Sequence, residues 1–321
     1  MQFGLSEEQI LLQDNVNRFL DDNSPLDRVR NYADGGEDSD IWAGLAELGI
    51  PALLIPEAQG GIGLQPMDAA IVAECLGSHI APTPFLGSAV MAPTALVASG
   101  GDHGELLAEI AAGTTRVGIA FGEAIKRRND AGVTVKDGRM SGTSMYAFDA
   151  QADVYLVADQ HQHIYLVRAD DPGLKRSNLV TVDKTRRTVE LNYDNVAAAT
   201  ISTEASVFAT TVDIGRVALA ADTLGAAQNM LDQAVEYAKQ REQFNRPIGS
   251  FQAVKHMCAE MAAELEPCRS MVWFAGHALA ELPEEARVTA CHTKAHLAEV
   301  GQFVAKTSTE VHGGMGFTDL V

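Results

Sequence analysis

The spacing of apolar and polar residues changes character twice along the chain. Behind Ser6 and the acids Glu7 and Glu8, the positions Ile10, Leu11, Val16, Phe19 and Leu20 make an apolar stripe, which predicts an amphipathic helix over residues 6–22. Ile41 to Leu48 reads as a short helix stopped by Gly49, and residues 51–66, PALLIPEAQGGIGLQP, as a Pro/Gly-punctuated loop. Met67 to Leu76 is helical and apolar, residues 80–87 (IAPTPFLG) form a second break, and 88–98 and 103–112 are helical again. Gly113 ends this part. From 114 to 203 the segments VGIAFG, GVTV, RMSGTS, VYLVA, IYLVRA, VTV, TVELNY and ATIS are short, β-rich and bounded by turns. Asp137-Gly138 between two of them is a hairpin signal. From Glu204 the helical period returns. Leu224, Ala227, Leu231 and Ala234 line one face of a long helix through 206–240, and two more helices run to about 281 and from about 284 to 310. The pattern predicts an α+β multidomain chain. It has an N-terminal helical domain (1–113), a middle antiparallel β-barrel or sandwich (114–203) and a C-terminal helical bundle (204–321).

Composition narrows the function classes. Of 321 residues, 46% are hydrophobic and 21% charged, as in an ordinary globular chain. The 43 acids against 24 bases give −19, which argues against a nucleic-acid partner, because such partners need a basic face. Cys75, Cys258, Cys268 and Cys291 are far apart, without CxxC spacing, so reduced cysteines are expected, with neither disulfides nor zinc. Cys258 falls on an apolar stripe and is expected to be buried. The N-terminus lacks the pattern of a signal peptide, and no apolar run is long enough to cross a bilayer, so the expected location is the cytoplasm with no membrane insertion.

The candidate chemistry lies at 237–261, YAKQREQFNRPIGSFQAVKHMCAEM. Tyr237 to Gln243 is expected to close one helix, with Asn245, Arg246 and Pro247 breaking it. Ser250 stands where the N-cap of the next helix is expected, followed by Val254, Met257, Cys258, Met261 and Leu265 at steps of three and four. A cation (Arg241), an aromatic (Phe244) and an amide (Gln252) thus flank a tight break, a set suited to a flat anionic ligand. Spacing alone leaves two plainer readings open, Arg241 as a helix-end cation and Phe244 as core. The second motif is EVHGGMGF, 310–317, whose glycines permit close backbone approach. Alone it is a weak signal, since no strand precedes it.

The first stretch resembles the flavin-binding signature of the acyl-CoA dehydrogenase family, R-x-Q-F-G-R-P-I-x-x-F-Q, departing only at Asn245, where the family prefers Gly. The second resembles the family's Q-x-x-G-G-x-G loop, with Glu310 in place of Gln. The order of helical, β and helical parts also matches the family. The resemblance implies FAD as cofactor and an acyl-CoA thioester as substrate. A carboxylate removes the α proton and the flavin accepts the β hydride. It also implies that Arg241, Phe244, Ile248 and Gln252 reach a neighbouring subunit's FAD, Arg241 at the pyrophosphate, and that Gly313 and Gly314 belong to the flavin loop.

The departures fall on the catalytic side. The resemblance places the base as a Glu either shortly after the glycine loop, where Leu320 stands beside Asp319, or next to Arg216, where Gly215 stands. No catalytic residue is therefore assigned. The T-E-P-x-x-G-S-D loop against the flavin ring reads FGEAIKRRNDAG here, keeping only Glu123, and SMYAFDA (144–150) replaces the family's K-x-W-I-T-N strand. This division resembles the base-lacking subunit of heteromeric acyl-CoA dehydrogenases of bacterial steroid catabolism. It implies an α₂β₂ complex with a Glu-bearing catalytic subunit, acting on CoA esters of steroid side chains or other bulky acids, with electron-transferring flavoprotein as acceptor. Three alternatives stand beside it. One is a self-sufficient homotetrameric dehydrogenase with its base at Asp319 or in a tail beyond Val321. The others are a related oxidase or nitroalkane-type flavoenzyme, and a flavin-free structural or regulatory pseudoenzyme.

Overall fold

The structure is a computed structural model that describes residues 4–318 apart from 37, 38, 127, 129 and 130. The N-terminal part contains α1 (Glu7–Asn23), α2 (Leu26–Ala33), α3 (Ser39–Glu47), α4 (Pro66–Ser78), a π-helical turn (Leu86–Met91), α5 (Ala92–Ala98) and α6 (Gly104–Ala111). Ser6 caps α1 in a reciprocal box with Gln9, so the predicted start is right. The stripe is only half buried, however. Val16 and Leu20 are core, whereas Ile10 and Leu11 are 47% and 60% exposed.

The middle part contains β1 (Val117–Ala120), a short α7 (Gly122–Ile125), β2 (Gly132–Lys136), β3 (Arg139–Phe148), β4 (Val154–Ala158), β5 (Ile164–Arg168), β6 (Leu174–Asn178), β7 (Thr188–Ala197) and β8 (Ala199–Ser202). They form one sheet in the order β6-β7-β3-β1-β4-β5-β8, with β2 on β3. Its pairings are antiparallel except β1 on β4, which runs parallel and departs from the antiparallel expectation. Asp137 and Gly138 have φ of 51° and 72°, the positive pair that a two-residue hairpin requires. A second correction concerns Val180 to Val182, which is a loop with both valines fully exposed. The strand lies earlier, at Leu174–Asn178, where Leu174 alone is buried. It is an edge strand, and its Lys175 and Arg176 are the charged residues that protect an edge while disguising its pattern.

The C-terminal part is α8 (Ala205–Gln240), a two-residue ladder of β9 (Glu242–Gln243) on β10 (Arg246–Pro247), α9 (Gln252–Glu281) and α10 (Pro283–His312), closed by a 3₁₀ turn (Gly313–Phe317). One core joins α1, α3 and α4 to α8, α9 and α10, with Leu224, Ala227, Leu231 and Ala234 inside it. The α4–α8 crossing brings backbone onto backbone. A Cβ on Gly77 would lie 2.0 Å from the Asp222 carbonyl oxygen, and one on Gly225 would lie 1.9 Å from that of Glu74. Beside this crossing the buried Glu74 pairs with Arg269 of α9. A second core lies between α5, α6, the sheet and the start of α8. There Val117 N–H donates to the buried Ser88 Oγ of the π-helical turn at 2.8 Å.

Candidate functional site

The flavin-signature stretch is a projecting β-turn, where a continuous helix was expected to Gln243. Helix α8 stops at Gln240, and Arg241 is already extended at φ −71°, ψ 122°. Its N–H donates to the Tyr237 carbonyl at 2.8 Å, and its own carbonyl accepts Ile248 N–H at 2.8 Å. Between these bonds Gln243 faces Arg246 and Glu242 faces Pro247. Phe244 and Asn245 form the turn at φ 55° and 61°. Both positions need a left-handed backbone, which Asn tolerates well, so the substitution of Asn for the family's Gly at 245 preserves the turn.

Phe244 is 86% exposed, which excludes the reading of it as core. Its ring meets Phe251 edge-on at 6.1 Å, and the Arg246 guanidinium lies 4.0 Å over Phe251. Phe251 thus supports both, a role that the sequence reading did not assign it. Ile248 packs against the helical core, and Gln252 opens α9 with an exposed side chain. Ser250 does not cap α9. Residues Ile248–Ser250 form a 3₁₀ turn, and the Ser250 hydroxyl donates to the Pro247 carbonyl at 2.7 Å. Along the stripe, Met261 and Leu265 are buried while Cys258 is only half-buried, and that burial raises its thiol above the usual range. All four cysteines are free.

The glycine motif sits at the end of α10. Gly313 turns the chain at φ 59°, and no atom lies within 4 Å of where a Cβ would stand on Gly313 or Gly314, so both face open space. Phe317 beyond them is 84% exposed. Glu310 stands 4.0 Å from Lys306 Nζ, a surface pair of small weight. The two motifs meet through Tyr237 and His312, whose rings stack at 4.7 Å. Neither residue was assigned a role from the sequence, although Tyr237 opens the first stretch and His312 stands inside the second motif.

Leu320 and Asp319 lie outside the described residues. Gly215 is buried in α8, where a Cβ would stand 2.9 Å from Met91 Sδ. Met91 therefore fills the space a longer side chain would need, and the neighbouring Arg216 pairs with the buried Asp213. In the β region, Glu123 is buried and engaged through Oε1 alone, while its Oε2 has no hydrogen-bond partner among the described residues. Oε1 accepts Arg128 Nη1 at 2.8 Å and Met145 N–H at 3.3 Å.

These residues suit part of an FAD site. Among the described residues Arg241 meets no carboxylate, so its guanidinium is available to a pyrophosphate, and the glycine turn leaves room for close backbone approach. Among the described residues no group of three or more His, Cys, Asp or Glu could hold a metal, and no helix is long and apolar enough to cross a membrane.

Comparison with known proteins agrees. The acyl-CoA dehydrogenase N-terminal domain matches residues 6–114, and the acyl-CoA dehydrogenase C-terminal domain matches 205–320. The chain is 30% identical over 317 residues to the acyl-CoA dehydrogenase IpdE2 of Mycolicibacterium smegmatis, covering 98% of this chain and 89% of that one. To IpdE2 of Mycobacterium tuberculosis it is 30% identical over 292 residues, covering 91% and 80%. The ChsE4-ChsE5 complex from Mycobacterium tuberculosis superposes with a TM-score of 0.89 at 26% identity, covering 99% of this chain and 90% of the matched one. This chain belongs to the acyl-CoA dehydrogenase family, whose members are FAD-dependent oxidoreductases.

Proposed function

We propose that this chain is the base-lacking subunit of a heteromeric acyl-CoA dehydrogenase, an α₂β₂ complex in which it completes the FAD site of a Glu-bearing partner. The observation that carries this reading is the exposure of residues 241–247, with a solvent-facing aromatic at the tip. An apolar ring held outward by a strained turn meets only the edge of Phe251 within its own chain, whereas a neighbouring subunit would cover it. The packing of Met91 against Gly215 supports the absence of a base at that position. The two-component ChsE4-ChsE5 relative supports the assembly, and a relative described as a steroid ACAD supports a bulky acyl-CoA substrate.

FAD, when bound, supplies the hydride acceptor. Arg241 neutralises its pyrophosphate, Phe244 and Ile248 present apolar contacts, Gln252 offers an amide hydrogen bond, and Gly313 and Gly314 admit close approach. The partner contributes the carboxylate that removes the α proton, and electron-transferring flavoprotein takes up the electrons.

The test is an assay with a ferrocenium acceptor and a flavin spectrum, first on the chain alone and then with its partner. The expected result is no turnover alone and activity with FAD in the complex, since a positioned base contributes roughly 10²–10⁴-fold. Arg241→Ala in the complex is expected to weaken FAD retention by about 1.5–3 kcal/mol, the range for hydrogen bonds to charged groups. Robust turnover by the chain alone with one FAD per chain sinks the division of labour.

A further inference from the structure

The hairpin between β4 and β5 carries two imidazoles that the flavin reading does not use. Its turn, Asp159 to His163, is folded by one carboxylate. Asp159 Oδ1 accepts the N–H groups of His161 and His163 at 2.8 and 3.0 Å, and Gln162 between them takes φ 66°. The alternate residues His161 and His163 are thereby brought side by side, with ring centroids 5.7 Å apart and 34° between planes. His161 is exposed and His163 half-buried, so an ion can reach both from solvent.

The second oxygen of Asp159 sets the chemistry of the pair. The carboxylate is buried. Its Oδ2 stands 3.3 Å from His163 Nδ1 and accepts the Tyr165 hydroxyl at 3.3 Å, while the Tyr165 oxygen lies 3.4 Å from the same Nδ1. An ionised carboxylate only accepts, so it favours the tautomer with the proton on His163 Nδ1 and leaves the Nε2 lone pair free. On the other ring, the Gln160 amide nitrogen lies 3.4 Å from His161 Nε2, which then acts as an acceptor too. The turn needs only Oδ1, so the buried Oδ2 serves to hold one half-exposed ring. A carboxylate behind one imidazole nitrogen, with the other nitrogen open, is the arrangement that orients metal-binding histidines and raises their basicity.

We propose that His161 and His163 bind one divalent transition-metal ion of the Zn²⁺ type through their Nε2 atoms, with Asp159 orienting His163 from behind and water at the remaining positions. Imidazole suits Zn²⁺, Ni²⁺ and Cu²⁺, whereas Mg²⁺ takes oxygen ligands. The net charge of −19 draws cations toward the chain. Two protein ligands make an open, exchangeable site, in keeping with the lack of a group of three ligands among the described residues. The site is independent of the FAD reading, and its test needs neither flavin nor partner.

The test is calorimetric titration of the full chain with zinc chloride and, separately, magnesium chloride in a non-chelating buffer, together with electron paramagnetic resonance of the chain with one equivalent of Cu²⁺. Zn²⁺ is expected to bind at least about tenfold more tightly than Mg²⁺. The Cu²⁺ spectrum is expected to show splitting from two imidazole nitrogens. His161→Ala and His163→Ala are each expected to weaken Zn²⁺ by at least about tenfold, since even an outer-shell partner is worth about 10–100-fold, and to leave one nitrogen in the spectrum. Asp159→Asn keeps an oxygen for the turn and is expected to weaken Zn²⁺ by about 10–100-fold while both nitrogens remain in the spectrum. If His163→Ala fails to fold, His161→Ala, at the exposed ring, decides. No Zn²⁺ binding, Mg²⁺ bound as tightly as Zn²⁺, or unchanged Zn²⁺ affinity in His161→Ala overturns the site. Unchanged affinity in Asp159→Asn, or loss of a nitrogen from its spectrum, overturns the orienting role of Asp159.

Discussion

Tyr237 and His312 stack with 4.7 Å between ring centroids and 33° between planes, and so join the end of α8 to the end of α10. His312 is buried, and its Nδ1–H donates to the Ser308 carbonyl at 2.8 Å, which fixes the ring against the last helical turn. Each ring belongs to one of the two sequence motifs, with Arg241 four residues beyond Tyr237 and Gly313 directly after His312. The stack therefore sets the spacing between the projecting turn and the glycine turn.

Replacing Tyr237 by Leu keeps an apolar body and removes the aromatic pairing. The expected cost is about 0.5–1.5 kcal/mol beyond any change in buried area. A double-mutant cycle with His312→Leu, read by urea denaturation, isolates the pair term. Simple additivity of the two single changes would show that the rings only happen to be adjacent.

Phe244 sits at φ 55° while 86% exposed, so it carries backbone strain without burying its ring. Phe244→Gly is expected to stabilise the isolated chain by about 1 kcal/mol, because Gly adopts this backbone at no steric cost. The same change is expected to weaken assembly or FAD retention in the complex. Unfolding curves of the chain alone and flavin occupancy of the complex check the two halves. Loss of stability in the isolated chain would count against strain at the turn.

Gly215→Glu is expected not to create a dehydrogenase. Its Cβ would stand 2.9 Å from Met91 Sδ, in a buried stretch of α8. Overpacking and an unpaired buried charge together are expected to cost roughly 3 kcal/mol or more, outweighing the gain of about 1 kcal/mol from removing a helical Gly. Adding Met91→Ala should restore part of the stability. A Gly215→Glu variant as stable as the parent would show that the helix pair has room to spare.

Burial lifts the Glu74 carboxyl above its ordinary value of 4.5, and Arg269 opposes this only in part. The folded chain therefore holds this proton more tightly than the unfolded chain. Stability is expected to fall as pH rises from about 4.5 through the raised folded value, because the folded state binds more protons across that window. Glu74→Gln keeps the shape and an acceptor for Arg269, and should flatten part of this slope. Urea midpoints taken every half unit from pH 4 to 8 measure it, and an unchanged slope in Glu74→Gln would assign the dependence elsewhere.

The helix and strand order was legible because it rests on local periods. The Ser6 cap, the Asp137-Gly138 hairpin and the long apolar face through Leu224, Ala227, Leu231 and Ala234 each involve neighbours in the chain, and each appears where it was expected. The family was legible too, because the stretch around Arg241 to Gln252 carries specific side chains in a specific order. Three details were not. Val180 to Val182 has the composition of a strand but no partner strand, while the polar stretch Leu174–Asn178 pairs with β7 because register along an edge is set by the neighbour. Helix α8 ends at Gln240, as the reading over 206–240 has it, and not at Gln243, because Arg241 and Ile248 bond across a turn, a contact that a helical period cannot signal. The outward direction of Phe244 and the contact of Tyr237 with His312 depend on how α8 and α10 lie side by side. By itself the sequence determined most of the helices and strands and the family they belong to, since propensity, pattern and motif are local. Only the tertiary structure decided which edge is paired, which ring is covered and which motifs meet, since these depend on packing between residues distant in the chain.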